Sequence, residues 1–90
     1  MMNAIVSVIG RDKIGITAAV CTRMAEYKIN ILDISMTVVQ GSFTMVMAVD
    51  LEKAEAPFGE ICDSLSRLGD EMGLSIRIQR QEIFDAMHTI

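Results

Sequence analysis

The sequence has little of several residue types, and each shortage excludes a class of protein. In 90 residues it contains no tryptophan, one tyrosine, three phenylalanines, one proline and one histidine. Its two cysteines, Cys21 and Cys62, are far apart and belong to no C-x-x-C pair, so neither a zinc site nor a disulfide framework is indicated. Each lies in an apolar helical pattern that favours a buried structural thiol. His88 has no second ligand at metal-binding spacing, so we predict no metal, no cofactor and no catalytic group.

Basic residues are also scarce. Eight lysines and arginines stand against twelve acidic residues, a net charge of −4 that repels phosphate backbones, so we predict no nucleic-acid partner. The first ten residues are apolar but hold no basic segment, and Arg11, Asp12 and Lys13 follow at once. This pattern fits neither a secretion signal nor a membrane span. We therefore expect a cytoplasmic protein with no membrane partner.

Apolar surface is what the sequence has in quantity. Hydrophobic residues make up 51% of the chain and include eight methionines. A chain of this length fits one domain, and it buries only roughly 60 to 65% of the surface that its unfolded form exposes. We therefore expect a second copy of the chain to cover part of the apolar surface in a homodimer.

Two kinds of periodicity alternate along the chain. Short β-branched runs and apolar–polar alternation predict strands, while apolar residues at spacings of three and four predict helices. Strands are predicted at 3–9, 29–40, 42–51 and 74–79, helices from Ile16 and from Phe58, and a turn at 40–41. This β-α-β-β-α-β order predicts an α+β, ferredoxin-like fold, a four-stranded antiparallel sheet with both helices on one face. The two central strands are expected to be apolar on both faces.

The domain is predicted to span residues 1–80, with 81–90 as a C-terminal helical extension of the same domain. Ile83, Phe84, Met87 and Ile90 recur in this extension at helical spacing. So short a helix is not stable alone. We expect it to dock, either on its own sheet or on a partner subunit.

The most informative segment is the glycine-flanked loop at 10–16, between the first strand and the first helix. Free N–H groups at a helix start, with the positive end of the helix dipole, favour an anion. Asp12 adds a carboxylate, so the loop complements a zwitterion. The loop lacks the glycine-lysine-serine/threonine ending of a P-loop. The simpler alternative is that Asp12 only caps the first helix or turns the loop.

The element order, the sequence G-x-D-K-x-G-I at 10–16 and N-I-x-D-I at 30–34 resemble an ACT domain, a regulatory module that binds amino acids. The resemblance covers nearly the whole chain, and I-F-D-A-M-H at 83–88 is similar to short stand-alone bacterial ACT proteins of uncharacterised function. It implies a ligand between the first loop and strand two, commonly across a dimer interface. The ligand-binding residues it implies are Gly10, Arg11, Asp12, Gly15, Ile16, Asn30, Ile31 and Asp33.

The resemblance also implies a role for these groups. Asp12 would bind the amino group of the ligand, and amides at the start of the first helix would bind its carboxylate. Asn30 would make the neighbouring polar contact. Two residues depart from the family pattern: Ile14 stands where proline is common, and Lys28 stands where glycine is common. A lysine at a left-handed helix end costs roughly 1 kcal/mol or more.

We therefore expect a regulatory homodimer whose amino-acid occupancy alters its contact with an unidentified regulated protein. We do not expect an enzyme. The alternative on the same fold is a ligand-free dimerisation or interaction module. A small enzyme with acylphosphatase-like chemistry is the least favoured hypothesis, because no arginine–asparagine pair can be placed.

Overall fold

The computed structural model describes residues 3–80. In chain order its elements are β1 (Asn3–Arg11), α1 (Ile16–Glu26), β2 (Asn30–Val39), β3 (Ser42–Asp50), α2 (Phe58–Met72) and β4 (Leu74–Arg80). This confirms the predicted β-α-β-β-α-β order, and the predicted limits agree to within about two residues. The predicted C-terminal helix and the boundary at residue 80 lie at or outside the described residues.

The four strands form one antiparallel sheet in the order β2-β3-β1-β4. β1 and β2 are both antiparallel to β3, so they run in the same direction. The end of β1 and the start of β2 therefore lie at opposite ends of the sheet. We call these the hairpin end, where Gln40 and Gly41 connect β2 to β3, and the Asn30 end, where β2 begins. Gln40 and Gly41 have φ angles of 50° and 80°, as a tight hairpin turn requires.

The core lies between the two helices and one face of the sheet, which we call the core face. Alternate side chains of β1, β3 and β4 point to this face because successive residues of a strand alternate. The helices contribute side chains at spacings of three and four. The main buried apolar residues are Ala4, Val6, Val8, Phe43, Met45, Met47, Val49, Leu74, Ile76 and Ile78 of the sheet, and Ile16, Val20, Met24, Ile61, Leu65 and Leu68 of the helices.

Two glycines allow close packing around the start of β4. A Cβ atom at Gly69 of α2 would stand 2.6 Å from the carbonyl oxygen of Leu74, and one at Gly10 of β1 would stand 2.5 Å from the Leu74 side chain. The clash at Gly69 is with the backbone of β4, whereas a side chain at Gly10 would require the end of the Leu74 side chain to shift. Gly69 therefore weakens α2 by its propensity but lets β4 pack against the helix.

The two helices are joined by one polar contact. The Nη1 atom of Arg23 on α1 donates hydrogen bonds to the Ser64 hydroxyl at 2.7 Å and to the Ser64 carbonyl oxygen at 3.1 Å. Arg23 also lies 3.7 Å from the Glu26 carboxylate. Ser64 is buried, so the arginine satisfies a hydroxyl that water cannot reach.

The core face is not covered along β2. Ile34, Met36 and Val38 pair across the ladder with buried residues of β3, so they lie on the core face. They are nevertheless 37%, 52% and 50% exposed. Among the residues of β2, half-buried Ile31 alone packs against the core. The alternation of Leu32, Ile34, Met36 and Val38 with Asp33, Ser35 and Thr37 is typical of a strand with one solvent-exposed face, but in the single chain both faces are exposed because neither helix reaches over them. We call Ile34, Met36 and Val38 the β2 apolar row.

The opposite side of the sheet, the open face, is only partly apolar. Ile5 is buried, whereas Ile9 and Val46 are exposed there. Their neighbours across the ladder include Ser7 and Thr44. The predicted apolar character of the central strands on both faces is confirmed for these positions, but polar residues separate them.

Candidate functional site

The predicted ligand loop joins β1 to α1 at the hairpin end. Gly15 is the N-cap residue of α1 and has a φ of 87°, a conformation that side chains disfavour. No atom lies within 4 Å of a Cβ built on Gly15, so backbone conformation rather than packing requires the glycine. No side chain caps the helix. The amides of its first turn are therefore available to an anion.

Asp12 supplies a carboxylate to the same loop, three residues before the N-cap of α1. Its backbone N–H donates to the carbonyl oxygen of Gly41 at 2.8 Å, which docks the loop on the hairpin turn. The side chain is exposed, and it forms no hydrogen bond or ion pair with any residue between 3 and 80. The alternative that Asp12 caps α1 is not what the structure shows, since Gly15 occupies that position without a side-chain cap.

Lys13 holds the loop against α2, a contact that sequence reasoning missed. Its Nζ atom donates to the Met72 carbonyl oxygen at 2.7 Å, at the negative end of the α2 dipole. The pairing is separated by 59 residues and has no signal in local spacing. It becomes visible only when the topology places the start of β4 beside the end of β1.

The remaining loop residues have different roles. Gly10 packs against Leu74, so packing gives one reason for a glycine at this position. Arg11 is exposed at the end of β1, and Ile14 is fully exposed at the tip of the loop. The Ile16 side chain belongs to the core, so only its backbone amide can face a ligand.

The strand-two residues of the predicted site lie at the other end of the sheet. Asn30 pairs with Asp50 at the Asn30 end, and an extra residue, Leu32, forms a bulge between Ile31 and Asp33. The Asp33 Oδ1 atom accepts the backbone N–H of Ile34 at 3.0 Å. β2 has ten residues, so roughly 30 Å separates Asn30 from the hairpin end.

One chain therefore does not bring the predicted site together. Five of the predicted residues cluster around the loop at the hairpin end, and two lie at the start of β2, with Asp33 slightly further along the strand. Ile31 packs against the core instead of facing a ligand. The first group is Gly10, Arg11, Asp12, Gly15 and Ile16; the second is Asn30 and Ile31.

A cavity of about 350 Å³ opens at the Asn30 end. This volume lies at the lower limit of ligand pockets, which suits a small metabolite. The Glu52 backbone N–H donates to the Asp50 Oδ1 atom at 2.9 Å and orders the turn after β3. The residues that line this cavity, which we call the Lys28 cavity, are Lys28, Asn30, Asp50, Glu52 and Lys53.

Helix α1 ends beside this cavity in a left-handed turn. The N–H of Lys28 donates to Ala25 O and the N–H of Ile29 donates to Met24 O, both at 3.0 Å. These two bonds define a Schellman motif with Lys28, at φ 60°, in the position that glycine usually occupies. The predicted cost of a lysine there, roughly 1 kcal/mol, applies to the structure as found.

The thiols and the possible metal ligands were compared with the requirements of reactive sites. The two cysteines are half-buried rather than fully buried. Burial raises the pKa of the Cys62 thiol, and Asp63 raises that pKa further, so the thiol is a poor nucleophile at neutral pH. Residues 3–80 contain no group of three or more side chains placed to hold a metal ion, and no helix in that range could span a membrane.

Comparisons with known proteins agree with this architecture. The ACT domain family profile matches residues 3–79. A UPF0237 protein of Bifidobacterium longum is 47% identical to this chain over 90 residues, which is the whole of both chains.

Solved structures lead to the same family. An ACT domain protein from Streptococcus pneumoniae superposes with a TM-score of 0.81 and 35% identity, covering 99% of this chain and 97% of that one. The regulatory subunit of aspartate kinase from Thermus thermophilus shares the fold, with a TM-score of 0.66, 24% identity, and coverage of 87% of this chain and 50% of that one. Domains of this family are commonly regulatory and bind small molecules. The chain therefore belongs to the ACT domain family, and its full-length relatives include UPF0237 proteins.

Proposed function

We propose that this chain is a cytoplasmic, non-catalytic regulatory protein that forms a homodimer and binds an amino acid at the subunit interface. The ligand lies between the β1–α1 loop of one subunit and the start of β2 of the other. Occupancy of this site alters the contact between the dimer and a regulated protein. The observation that carries the proposal is the uncovered β2 apolar row on an edge strand.

The β2 edge supports the dimer. An edge strand presents unpaired N–H and C=O groups, and proteins usually keep such strands short, charged or covered. β2 is ten residues long, and between Leu32 and Val39 its one charged side chain is Asp33. A second copy that adds its own β2 to this edge satisfies the backbone groups and brings two apolar rows together on the core face.

The symmetry of that pairing also supports a composite site. Two β2 strands related by a two-fold axis run antiparallel, so the start of one lies near the end of the other. The Asn30 end of each subunit then approaches the hairpin end of its partner. Asp12 and the α1 amides of one subunit meet Asn30 of the partner subunit, which resolves the separation of roughly 30 Å within one chain.

The charges at the loop support a zwitterionic ligand. Asp12 has no partner among residues 3–80, and its exposed carboxylate can accept hydrogen bonds from an ammonium group. The uncapped amides of α1 can donate to a carboxylate on the same molecule. An α-amino acid carries both groups on one carbon atom.

A second function, a ligand-free dimerisation module, is favoured by one observation. Gly10 and Lys13 are both accounted for by packing and by the bond to α2, so a large part of the loop needs no ligand to explain it. This alternative keeps the β2 interface and removes the ligand.

A thermal-shift screen of the full chain against the common amino acids separates the two functions. A ligand at about 100 times its dissociation constant stabilises the fold by about 2.7 kcal/mol. We expect at least one amino acid to raise Tm, and the Asp12→Ala and Asn30→Ala variants to lose the response. No response to any amino acid, with the dimer intact, leaves the dimerisation module as the function.

Subunit mixing tests the composite site directly. Neither Asp12→Ala nor Asn30→Ala homodimers have an intact site, but a mixed dimer has one, formed by Asp12 of one chain and Asn30 of the other. Unfolding and refolding an equal mixture should restore binding to about a quarter of all sites, because about half of the dimers are mixed. If the two residues serve one site within a chain, mixing restores nothing.

A further inference from the structure

The Lys28 cavity contains charged side chains that the proposed site does not use. Two of them are lysines, Lys28 and Lys53, and two are acidic, Asp50 and Glu52. In the proposed dimer the cavity faces the partner's loop, where the ligand's amino and carboxylate groups are bound. The cavity is then the space into which the ligand's own side chain extends.

Lys28 is distinguished from the other three by its backbone. It occupies the left-handed position of the Schellman motif at φ 60°, where glycine has no Cβ to clash. The other charged residues of the cavity have no positive φ. This backbone conformation is costly for every residue except glycine. A lysine in this position therefore indicates that its side chain has a function.

The groups around the ammonium leave it available. Neither Lys28 nor Lys53 forms an ion pair or a side-chain hydrogen bond within residues 3–80. Asp50 is engaged locally, since its Oδ1 atom accepts the Glu52 N–H. Asn30 adds an amide that can donate to an oxygen. The Glu52 carboxylate and the second oxygen of Asp50 are the acidic groups of the cavity that compete for the lysines.

We infer that Lys28 is a specificity-determining residue and that the ligand is an acidic amino acid, whose side-chain carboxylate accepts hydrogen bonds from Lys28, assisted by Lys53 and Asn30. The inference rests on the proposed function and names the ligand class of that same site. It also explains why a lysine stands where backbone geometry favours glycine.

Binding of single amino acids to the full-chain dimer tests the inference. The probes are L-aspartate, L-glutamate, their amides L-asparagine and L-glutamine, L-leucine and L-lysine, measured by calorimetry. We expect an acidic amino acid to bind about tenfold more tightly than its own amide, as one charge-assisted hydrogen bond provides. Preference for L-lysine would overturn the inference, because Asp50 and Glu52 would then be the recognising groups.

Three substitutions at Lys28 separate its charge from its backbone strain. Lys28→Gly should raise the Tm of the unliganded protein by roughly 5 °C, because the left-handed strain is relieved. Lys28→Gln keeps the strain and removes the charge. Both substitutions should weaken binding of the acidic amino acid about tenfold and leave binding of its amide unchanged. Lys28→Arg should keep the preference for the acidic amino acid over its amide. Arg67→Gln on the exposed surface of α2 is the control for net charge and should change neither affinity.

The outcomes distinguish this inference from the proposed function. If no amino acid binds, the proposed function fails and the inference fails with it. Suppose that an amino acid binds and that Asp12→Ala weakens this binding, but that Lys28→Gln binds the acidic and amide probes with parental affinities. Only the inference is then wrong. A Lys28→Gly variant that is more stable and binds L-aspartate or L-glutamate with parental affinity would likewise overturn the inference alone.

Discussion

The two edges of the sheet have similar sequences and different surroundings. β4 alternates Leu74, Ile76 and Ile78 with polar residues, and β2 likewise alternates apolar with polar side chains from Asp33 to Val38. On β4 the apolar residues are buried beneath α2. On β2 the apolar row is exposed on the same face of the same sheet. The chain therefore covers one edge itself and leaves the other open.

The difference teaches that apolar alternation marks a face to be covered but does not say which molecule covers it. For β4 the cover is the next element back along the chain, α2, which ends at Gly73 directly before the strand. For the β2 apolar row, no element among residues 3–80 supplies a cover. Substitutions on the two edges test this contrast, with effects that we expect to range from several kcal/mol to a small pH dependence.

The largest effect is expected where a charge enters the β2 apolar row. Met36→Lys places two lysines in the proposed interface, which we expect to weaken the dimer by about 4 kcal/mol, roughly a thousandfold. Analytical ultracentrifugation over a range of concentrations measures the change. Ile9→Lys is the matched control, because Ile9 is exposed as much as Met36, 53% against 52%, but lies on the open face. A dimer disrupted by Ile9→Lys alone would place the interface on the open face.

Truncation of the covered edge should cost the single chain more than truncation of the open one. Ile76→Ala removes a buried side chain beneath α2, and we expect it to lower the free energy of unfolding by about 3 kcal/mol at every protein concentration. Val38→Ala should cost less than about 1 kcal/mol in the monomer and act mainly through the dimer. Urea denaturation at several concentrations separates the two. Equal, concentration-independent losses would contradict the contrast between the edges.

The close cover of β4 should depend on Gly69. Gly69→Ala places a Cβ atom 2.6 Å from a backbone oxygen of β4, so we expect a loss of about 2 kcal/mol in the free energy of unfolding. Gly59→Ala is the matched control in the same helix, since nothing lies within 4 Å of its Cβ. It should stabilise the protein by about 0.5 to 1 kcal/mol. Thermal denaturation compares the pair, and a stabilising Gly69→Ala would show that β4 can move away.

The smallest effect is a pH dependence from α2. Burial, with Asp63, raises the pKa of the Cys62 thiol in the folded protein above its ordinary value. The stability that the neutral thiol contributes is therefore complete below the ordinary pKa and declines as pH rises through the raised pKa. Cys62→Ala should remove this part of the alkaline loss of stability. Denaturation midpoints between about pH 7 and 10 measure the difference, and identical profiles would argue against it.

The sequence predicted the elements because each carries a clear period. β1 is a short β-branched run with no helical period, α2 keeps apolar residues at helical spacing as far as Met72, and residues 40–41 predict the hairpin. These signals are local, so they survive without tertiary information. The exposure of the β2 apolar row could not be predicted this way, because coverage depends on where helices pack and not on the strand's own pattern.

The resemblance to the family predicts the residues of the candidate site and a ligand between the first loop and strand two, commonly across a dimer interface. Gly15 is the N-cap residue of α1 and Asp12 lies three residues before it, and both residue types are local signals of a loop that leads into a helix. Asn30 lies roughly 30 Å from the loop because β1 and β2 run in the same direction. The element order implies this direction, but the spacing of residues along the sequence does not reveal it. The packing role of Gly10 and the Lys13 contact with Met72 required the fold, because both involve residues more than 50 positions apart.

The extra residue in β2, Leu32, determines which face of the sheet the side chains of Asn30 and Ile31 point to. Counted back from Asp33 without interruption, Ile31 would fall on the open side and Asn30 on the side of the helices. The bulge reverses this parity, so Ile31 turns inward to fasten the strand to its own core while Asn30 turns the opposite way. Without the bulge, Leu32 would pair with β3 as an ordinary residue and would face the core in place of Ile31. The Asn30 side chain would then also point toward the core. The bulge thus lets β2 place Asn30 on the open face and Ile31 on the core face, so that a polar group and a core contact sit side by side at the start of one strand.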